Sequence, residues 1–186
     1  YGNLHRSFKA PTPDQLYDRR SIPIGQEPYK ILISNGELRP QFATSREIGL
    51  RHRTVFVPGI FSVELSVAGY SMGLKDELDF DLEQFRTVNI GRSRHRGVEA
   101  GLAVHLCECS RLFANYTHQA AESRTGDNAG LQLKSIPKNL YVVGASTRLK
   151  GGVRGSVVMR AARDIYLDDA NTVSLPNYAA VDAKVA

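Results

Sequence analysis

Apolar and polar residues alternate with a period of two over most of this chain, the period at which successive side chains of a strand point to opposite faces. The clearest run sets Val98, Ala100, Leu102, Val104 and Leu106 on one face, with Glu99, Gly101, Ala103 and His105 on the other. Phe61, Val63, Leu65 and Val67 stand opposite Ser62, Glu64 and Ser66. Tyr141, Val143 and Ala145 stand opposite Gly144, Ser146 and Arg148, and Ala179, Val181, Ala183 and Val185 alternate with Asp182 and Lys184. The segment Val153–Tyr166 is less regular, because Val157 and Val158 fall on both faces. Near Gly69 the apolar phase flips to Tyr70, Met72 and Leu74, as a β-bulge or an exit from an apolar layer would make it do. Few segments carry a helical period. The pattern predicts an all-β chain of eight strands, near residues 1–9, 43–54, 60–82, 85–106, 111–123, 138–149, 153–166 and 177–186.

The connections alternate in length. Phe56–Gly59, Cys107–Ser110 and Lys150–Gly152 are short and turn-like. Pro11–Phe42, Ser123–Pro137 and Leu167–Pro176 are long and rich in Pro, Asp, Asn, Gly and charged residues. Short turns at one end and long loops at the other are the pattern of outer-membrane barrels. A soluble sandwich has no reason to keep such alternation in phase with its strands. The expected fold is therefore a partial transmembrane antiparallel β-barrel.

Composition is compatible with that fold. The 186 residues have a mean hydropathy of -0.27, and no run approaches the roughly 18–20 apolar residues a membrane helix needs. Strands that alternate leave the average near neutral, so the low value excludes helical spans and not barrel spans. A net charge of +5 would suit a polyanion partner, but the basic residues are mostly arginines spread along the chain, and no nucleic-acid partner is expected. Arg92-Ser93-Arg94-His95-Arg96 is the tightest basic group and lies at a strand entrance. The two cysteines, Cys107 and Cys109, are too few for a disulfide framework, and an i,i+2 pair closes a tight ring, so they are expected as two thiols in a turn. His52, His95, His105 and His118 show no metal-ligand spacing, so no metal is expected. No nucleophile elbow, phosphate loop or dinucleotide fingerprint is present, and neither an enzymatic activity nor a cofactor is expected.

Several strings carry a further signal. They are Arg6-Ser7-Phe8-Lys9-Ala10-Pro11-Thr12 followed by Gln15-Leu16-Tyr17-Asp18, Ile33-Ser34-Asn35 with Leu38-Arg39-Pro40-Gln41, and Arg46-Glu47-Ile48-Gly49-Leu50. After them come Asp76-Glu77-Leu78, Asn89 through Arg96-Gly97-Val98-Glu99, Asn115-Tyr116-Thr117, Ile136-Pro137, and Asp168-Asp169-Ala170-Asn171-Thr172 with Val181-Asp182-Ala183. In this order they resemble the second half of the barrel of TonB-dependent receptors, with Gly36 and Gln41 standing where that family commonly has Pro and Glu. The resemblance implies about eight meander strands of a 22-stranded barrel with a plugged lumen. Residues 1–186 would form one barrel fragment, with the plug domain, TonB box, signal peptide and last strands outside it.

Implied with the fold are a place in the outer membrane of a Gram-negative bacterium and import of a scarce ligand, a ferric siderophore or similar iron complex first among them. Implied partners are outer-membrane lipid, the plug domain, the TonB energy-coupling complex and the small-molecule ligand. Candidate ligand contacts in the first long loop are Tyr17, Arg19, Arg20 and Tyr29, since arginines suit an anionic ligand and tyrosines offer stacking surfaces. Glu47, Glu99, Arg148, Arg160 and Asp182 are expected to face the lumen, and Tyr70, Tyr116, Tyr141, Tyr166 and Tyr178 are candidates for interfacial girdles. The two rival readings are a complete eight-stranded barrel acting as an adhesin or anchor, and a soluble basic β-protein that binds a polyanion.

Overall fold

The computed structural model describes residues 1–23, 30–107 and 109–186. In chain order the elements are β1 (Gly2–Lys9), α1 (Pro13–Tyr17), β2 (Ser21–Pro23), β3 (Lys30–Leu32), β4 (Gln41–Val57), β5 (Phe61–Lys75), β6 (Leu78–Asp81) and β7 (Arg86–Asn89). They continue as β8 (Arg92–Leu106), β9 (Ser110–Ser123), β10 (Asn139–Arg148), β11 (Arg154–Arg163), β12 (Ile165–Tyr166), β13 (Ser174–Leu175) and β14 (Tyr178–Val185). Eight of these strands form one antiparallel meander, in the order β1-β4-β5-β8-β9-β10-β11-β14. β1 pairs only with β4 and β14 only with β11, so among the described residues the sheet is open rather than closed on itself. Among the described residues no helix is long and apolar enough to cross a membrane.

Strand length and turn chemistry explain the two unlike ends of the sheet. A tilted membrane strand needs roughly 9–11 residues, and β4, β5, β8 and β9 have 17, 15, 15 and 14. They run on past an apolar layer at the end where the long loops are. At the other end the chain reverses in a few residues, through Gly59 (φ +71) between β4 and β5 and Gly151 (φ +83) between β10 and β11. These are left-handed positions that glycine occupies without a steric penalty.

The register sorts every strand into two faces. One row crosses the sheet as His52, Leu65, Leu102, Ala114, Val143, Met159 and Val181. Around it on the same face lie Ile48, Leu50, Val67, Val98, Val104, Leu112, Val157 and Val185. Paired neighbours share a face in an antiparallel ladder, so these residues form one continuous apolar band. They are also exposed: Ile48 is 73%, Val67 53%, Val98 52% and Val181 67% accessible. Among the described residues no large side chain is fully buried, and the buried apolar residues of the eight-stranded sheet, Leu74, Ala103, Ala121 and Ala162, lie on the opposite face. The greasy surface is on the outside.

Several sequence expectations need correction. The strands expected over 60–82 and 85–106 each break, because Asp76 (φ +54) and Gly91 (φ +85) turn the chain. Beyond those bends β6 and β7 form a separate hairpin. The strand expected over 153–166 breaks likewise at Asp164 (φ +60), and Ile165–Tyr166 pairs with Ser174–Leu175. The phase flip at Gly69 involves no bulge, since pairing on both sides of β5 is regular there. The strand keeps its alternation while its environment changes. Cys107 and Cys109 are joined in a disulfide. A positive φ of 54° at Cys107 folds the turn so that the two Cα atoms lie 5.2 Å apart, within the range a disulfide spans.

Candidate functional site

The second face of the sheet is polar. Glu47, Glu99, Arg148, Arg160 and Asp182 all lie on it by register, with Arg51, Arg53, Glu64, Asn115 and Thr117. Its charges pair across strands: Arg51 reaches Glu64 at 3.6 Å, and Arg160 bonds to Asp182. Tyr70 also lies here, not in a girdle on the apolar face, and donates to Gln119 Oε1 at 3.0 Å. Gly97 lets it do so. A Cβ at that position would meet the Tyr70 hydroxyl at 2.8 Å and the backbone oxygen of His118 at 2.7 Å. Tyr178 is on the polar face too, whereas Tyr116 and Tyr141 stack on the apolar face with ring centroids 5.0 Å apart. Tyr166 belongs to the β12–β13 hairpin.

At the long-loop end of the sheet the connections interlock. The first loop holds α1, started by a capping box in which Gln15 N–H donates to Thr12 Oγ1 and Thr12 N–H donates to Gln15 Oε1. Gln15 and Asn35 then reach across to Thr87 on β7, at 3.3 and 3.0 Å. Asn89 closes the seam by accepting from Arg39 N–H and donating to the carbonyls of Arg39 and Asp76. Arg39 adds an ion pair to Asp76 at 3.0 Å. Lys134, its side chain 7% exposed, bonds to Asp79 and Asp169 at 2.9 Å each and so joins three loops. Burial pushes the Lys134 ammonium down, but its hydrogen bonds to the two aspartates outweigh this and its pKa is raised. Gln132 and Asn171 exchange two bonds of 2.8 Å between the last two loops.

One carboxylate is tuned further. Asp168 accepts from Val173 N–H at 2.8 Å and from the Thr172 hydroxyl and N–H at 2.7 and 3.0 Å. These bonds, that from Val173 first, hold its pKa down at about 2.

Of the predicted ligand contacts, Tyr17 ends α1 and is 73% exposed, and Arg19 is exposed just beyond it. Arg20 is already engaged. Its guanidinium grips Asp18 at 2.5–3.0 Å, and its side chain and backbone N–H hold the Asp18 carboxyl below its ordinary pKa. Tyr29 lies outside the described residues. The sequence reading assigns no loop staples, although Asn35, Asn89 and Asp168 all stand in the receptor-like strings. Asn and Asp flanking turns are residues that bond backbone, which is the signal that could have found them. Lys134 carried no signal, because its partners come from two other loops. Among the described residues no cluster of three or more His, Cys, Asp or Glu could hold a metal ion.

Three solved structures share the fold. Over 99% of this chain and 26% of that one, the ferric yersiniabactin uptake receptor FyuA of Yersinia pestis superposes with a TM-score of 0.64 at 16% identity. The ferric-catecholate import receptor Fiu of Escherichia coli K12 gives 0.57 at 17% identity, over 99% of this chain and 26% of its own. The ferric preacinetobactin receptor BauA of Acinetobacter baumannii gives 0.55 at 23%, over 77% and 22%. The chain thus spans about a quarter of the length of these structures. Comparison with curated proteins finds no match. The family described as TonB dependent receptor-like, beta-barrel, matches residues 1–186, and the chain belongs to it.

Proposed function

We propose that this chain is part of the wall of an outer-membrane transporter that imports a scarce ligand, a ferric siderophore or similar iron complex, with energy from a TonB complex. The apolar face meets outer-membrane lipid. The polar face, with Glu47, Glu99, Arg148, Arg160 and Asp182, lines a lumen occupied by a plug domain. The loop cap over that lumen is the ligand entrance, with Tyr17 and Arg19 as its exposed contacts, and the chain catalyses no reaction. The observation that carries this reading is the unbroken apolar band on one face, set against charges on the other. A barrel wall with lipid outside and water inside requires that distribution. A ferric siderophore or similar iron complex is preferred because the three structures above are named as receptors for ferric yersiniabactin, ferric preacinetobactin and a ferric catecholate. The band argues against a soluble polyanion binder, and the open sheet argues against a closed eight-stranded barrel.

The test is transport. A strain lacking the gene should lose uptake of radioactive iron presented as a panel of ferric siderophores. The full gene should restore it, and collapse of the inner-membrane proton gradient should abolish it. Unchanged uptake across the panel would remove the iron-complex reading, and uptake that survives collapse of the gradient would remove the energy-coupled mechanism.

A further inference from the structure

The apolar band has a charged upper border on one side only. On β8 the apolar positions Val98 to Leu106 continue toward the loops, on the same face, as Arg96, Arg94 and Arg92. Arg46 on β4 joins their face through the row Arg46–Ser71–Arg96, and Arg124 lies beside Arg92, its N–H donating to the Arg92 carbonyl. Glu122 is the carboxylate among them, and it pairs with Arg96 at 3.3 Å and Arg124 at 3.5 Å. Among the described residues no carboxylate forms a salt bridge with Arg46, Arg92 or Arg94, and all three are exposed. Between them runs an open groove of about 390 Å³, floored by Thr44, Ser71 and Gly73. A Cβ at Gly73 would meet nothing within 4 Å, so the floor leaves room for a ligand.

The other end of the same face is different. There the outward positions among the described residues are Thr54, Phe61, Leu106, Ser110, Thr147 and Gly155, with no arginine. The arginines at that end, Arg53, Arg111, Arg148 and Arg154, are on the polar face. Outward positive charge is therefore confined to the long-loop border of the band.

Depth places the cluster. Arg96 is six residues above Leu102, which stands at the middle of the band; at about 3.3 Å per residue and a tilt of about 40° it lies roughly 15 Å higher along the membrane normal. That is about half the thickness of a hydrocarbon core, so Arg96, Arg94 and Arg92 stand at and above the level of the lipid headgroups.

On the reading of the apolar face as lipid-facing, we propose that Arg46, Arg92 and Arg94 form a site on the barrel exterior for a phosphate-bearing lipid headgroup of the leaflet on the loop side. Guanidinium forks match phosphate oxygens in bidentate geometry. The small residues between them admit the headgroup, and the aliphatic band directly below takes its acyl chains. Arg96 and Arg124, held by Glu122, frame the site without being its anions' first partners.

The test uses the full protein, isolated from outer membranes and exchanged into nanodiscs, with retained lipid read by native mass spectrometry. The probes are diphosphorylated lipid A, its dephosphorylated form and inorganic phosphate. The wild type should keep diphosphorylated lipid A and release the dephosphorylated form. Retention should fall about tenfold for each arginine removed in the series R92Q, R92Q/R94Q and R46Q/R92Q/R94Q. R154Q on the polar face should change nothing, and the triple Lys variant, which keeps the charge, should hold more lipid than the triple Gln variant. Equal retention by wild type and the Gln triple, or equal loss in the Lys and Gln triples, overturns the proposal. So does inorganic phosphate bound as tightly as the lipid. A fluorophore at Val143 separates the two claims. If it is quenched by bromine-bearing acyl chains while lipid A retention ignores the arginines, the site is wrong and the barrel wall stands. If it is not quenched, the lipid-facing reading falls with it.

Discussion

Val142 and Val143 are adjacent valines in the middle of β10 that the register sends to opposite faces, and they permit a sharp test of which face meets lipid. Val143 is 47% exposed and sits in the row Ala114–Val143–Met159, at the centre of the apolar band. Val142 pairs with Asn115 and Arg160 on the polar face, where Arg160 already has Asp182 as its partner. An arginine turned to lipid at the bilayer midplane costs about 2–4 kcal/mol. V143R should therefore destabilise the folded barrel by that amount, a factor of roughly 30 to several hundred in the folding equilibrium at 1.4 kcal/mol per tenfold. V142R changes the same side chain at the same depth, strand and propensity. It places its guanidinium on the polar face beside Asn115 and opposite Arg160, and its cost, that like-charge contact included, should stay within about 1 kcal/mol. The assay is denaturant-dependent folding of the full protein into lipid vesicles, followed by the change in gel mobility between folded and unfolded forms. Equal costs, or a larger cost for V142R, would refute the assignment of faces.

Four further outcomes follow from the loops, one turn and one close approach. D168A should expose the Leu167–Thr172 segment to proteolysis at neutral pH. In the wild type, protection should be present above the ordinary 3.8 of a free Asp and be lost as pH falls through about 2, because the folded-state pKa is depressed. K134M removes the cation that ties Asp79 to Asp169 and should speed amide exchange in the β6–β7 and β12–β13 hairpins together. In the wild type the raised pKa keeps Lys134 protonated, so loss of the Lys134 proton should weaken this ion pairing only above 10.5. Cys107 and Cys109 should resist maleimide labelling until a reductant is added, since they are joined. G97V should displace Tyr70 and Gln119, costing about 1–3 kcal/mol of folding stability as an overpacked site, while G73A, with open space around it, should fold as the wild type does.

The strands were legible in the sequence because a half-exposed sheet in lipid demands strict alternation, and Val98–Leu106 or Ala179–Val185 satisfies no other geometry. All five predicted charged positions share one face for the same reason. What misled was continuity. Alternation persists through Lys75–Leu82 although the ladder ends at Lys75, because β6 and β7 are also strands, merely in a different sheet. The bend needs the left-handed conformations of Asp76 and Gly91, and an Asp in such a conformation looks in sequence like any other Asp. Ring size argues for two thiols at Cys107 and Cys109, but the deciding quantity is one backbone dihedral at Cys107.

On the proposed function, the residues that identify the family and those that would choose a ligand are different residues, and the loop cap shows why. Thr12, Gln15, Asn35, Asn89, Asp168 and Asn171 spend their polar atoms on backbone groups and on one another, in turns whose shape does not depend on what passes through the lumen. Such positions recur wherever the same loop path is needed, so they carry the resemblance. A ligand contact must instead keep its polar or aromatic surface unspent. By that criterion Arg20, committed to Asp18 through three side-chain bonds, is a loop staple, while Tyr17 and Arg19 remain available. The two roles separate in transport. R20Q should loosen the first loop and weaken uptake of every ligand about equally, whereas R19Q should raise the KM for an anionic iron complex and leave a neutral one unaffected. Uptake by R20Q that discriminated between charged and neutral ligands would return Arg20 to the binding surface.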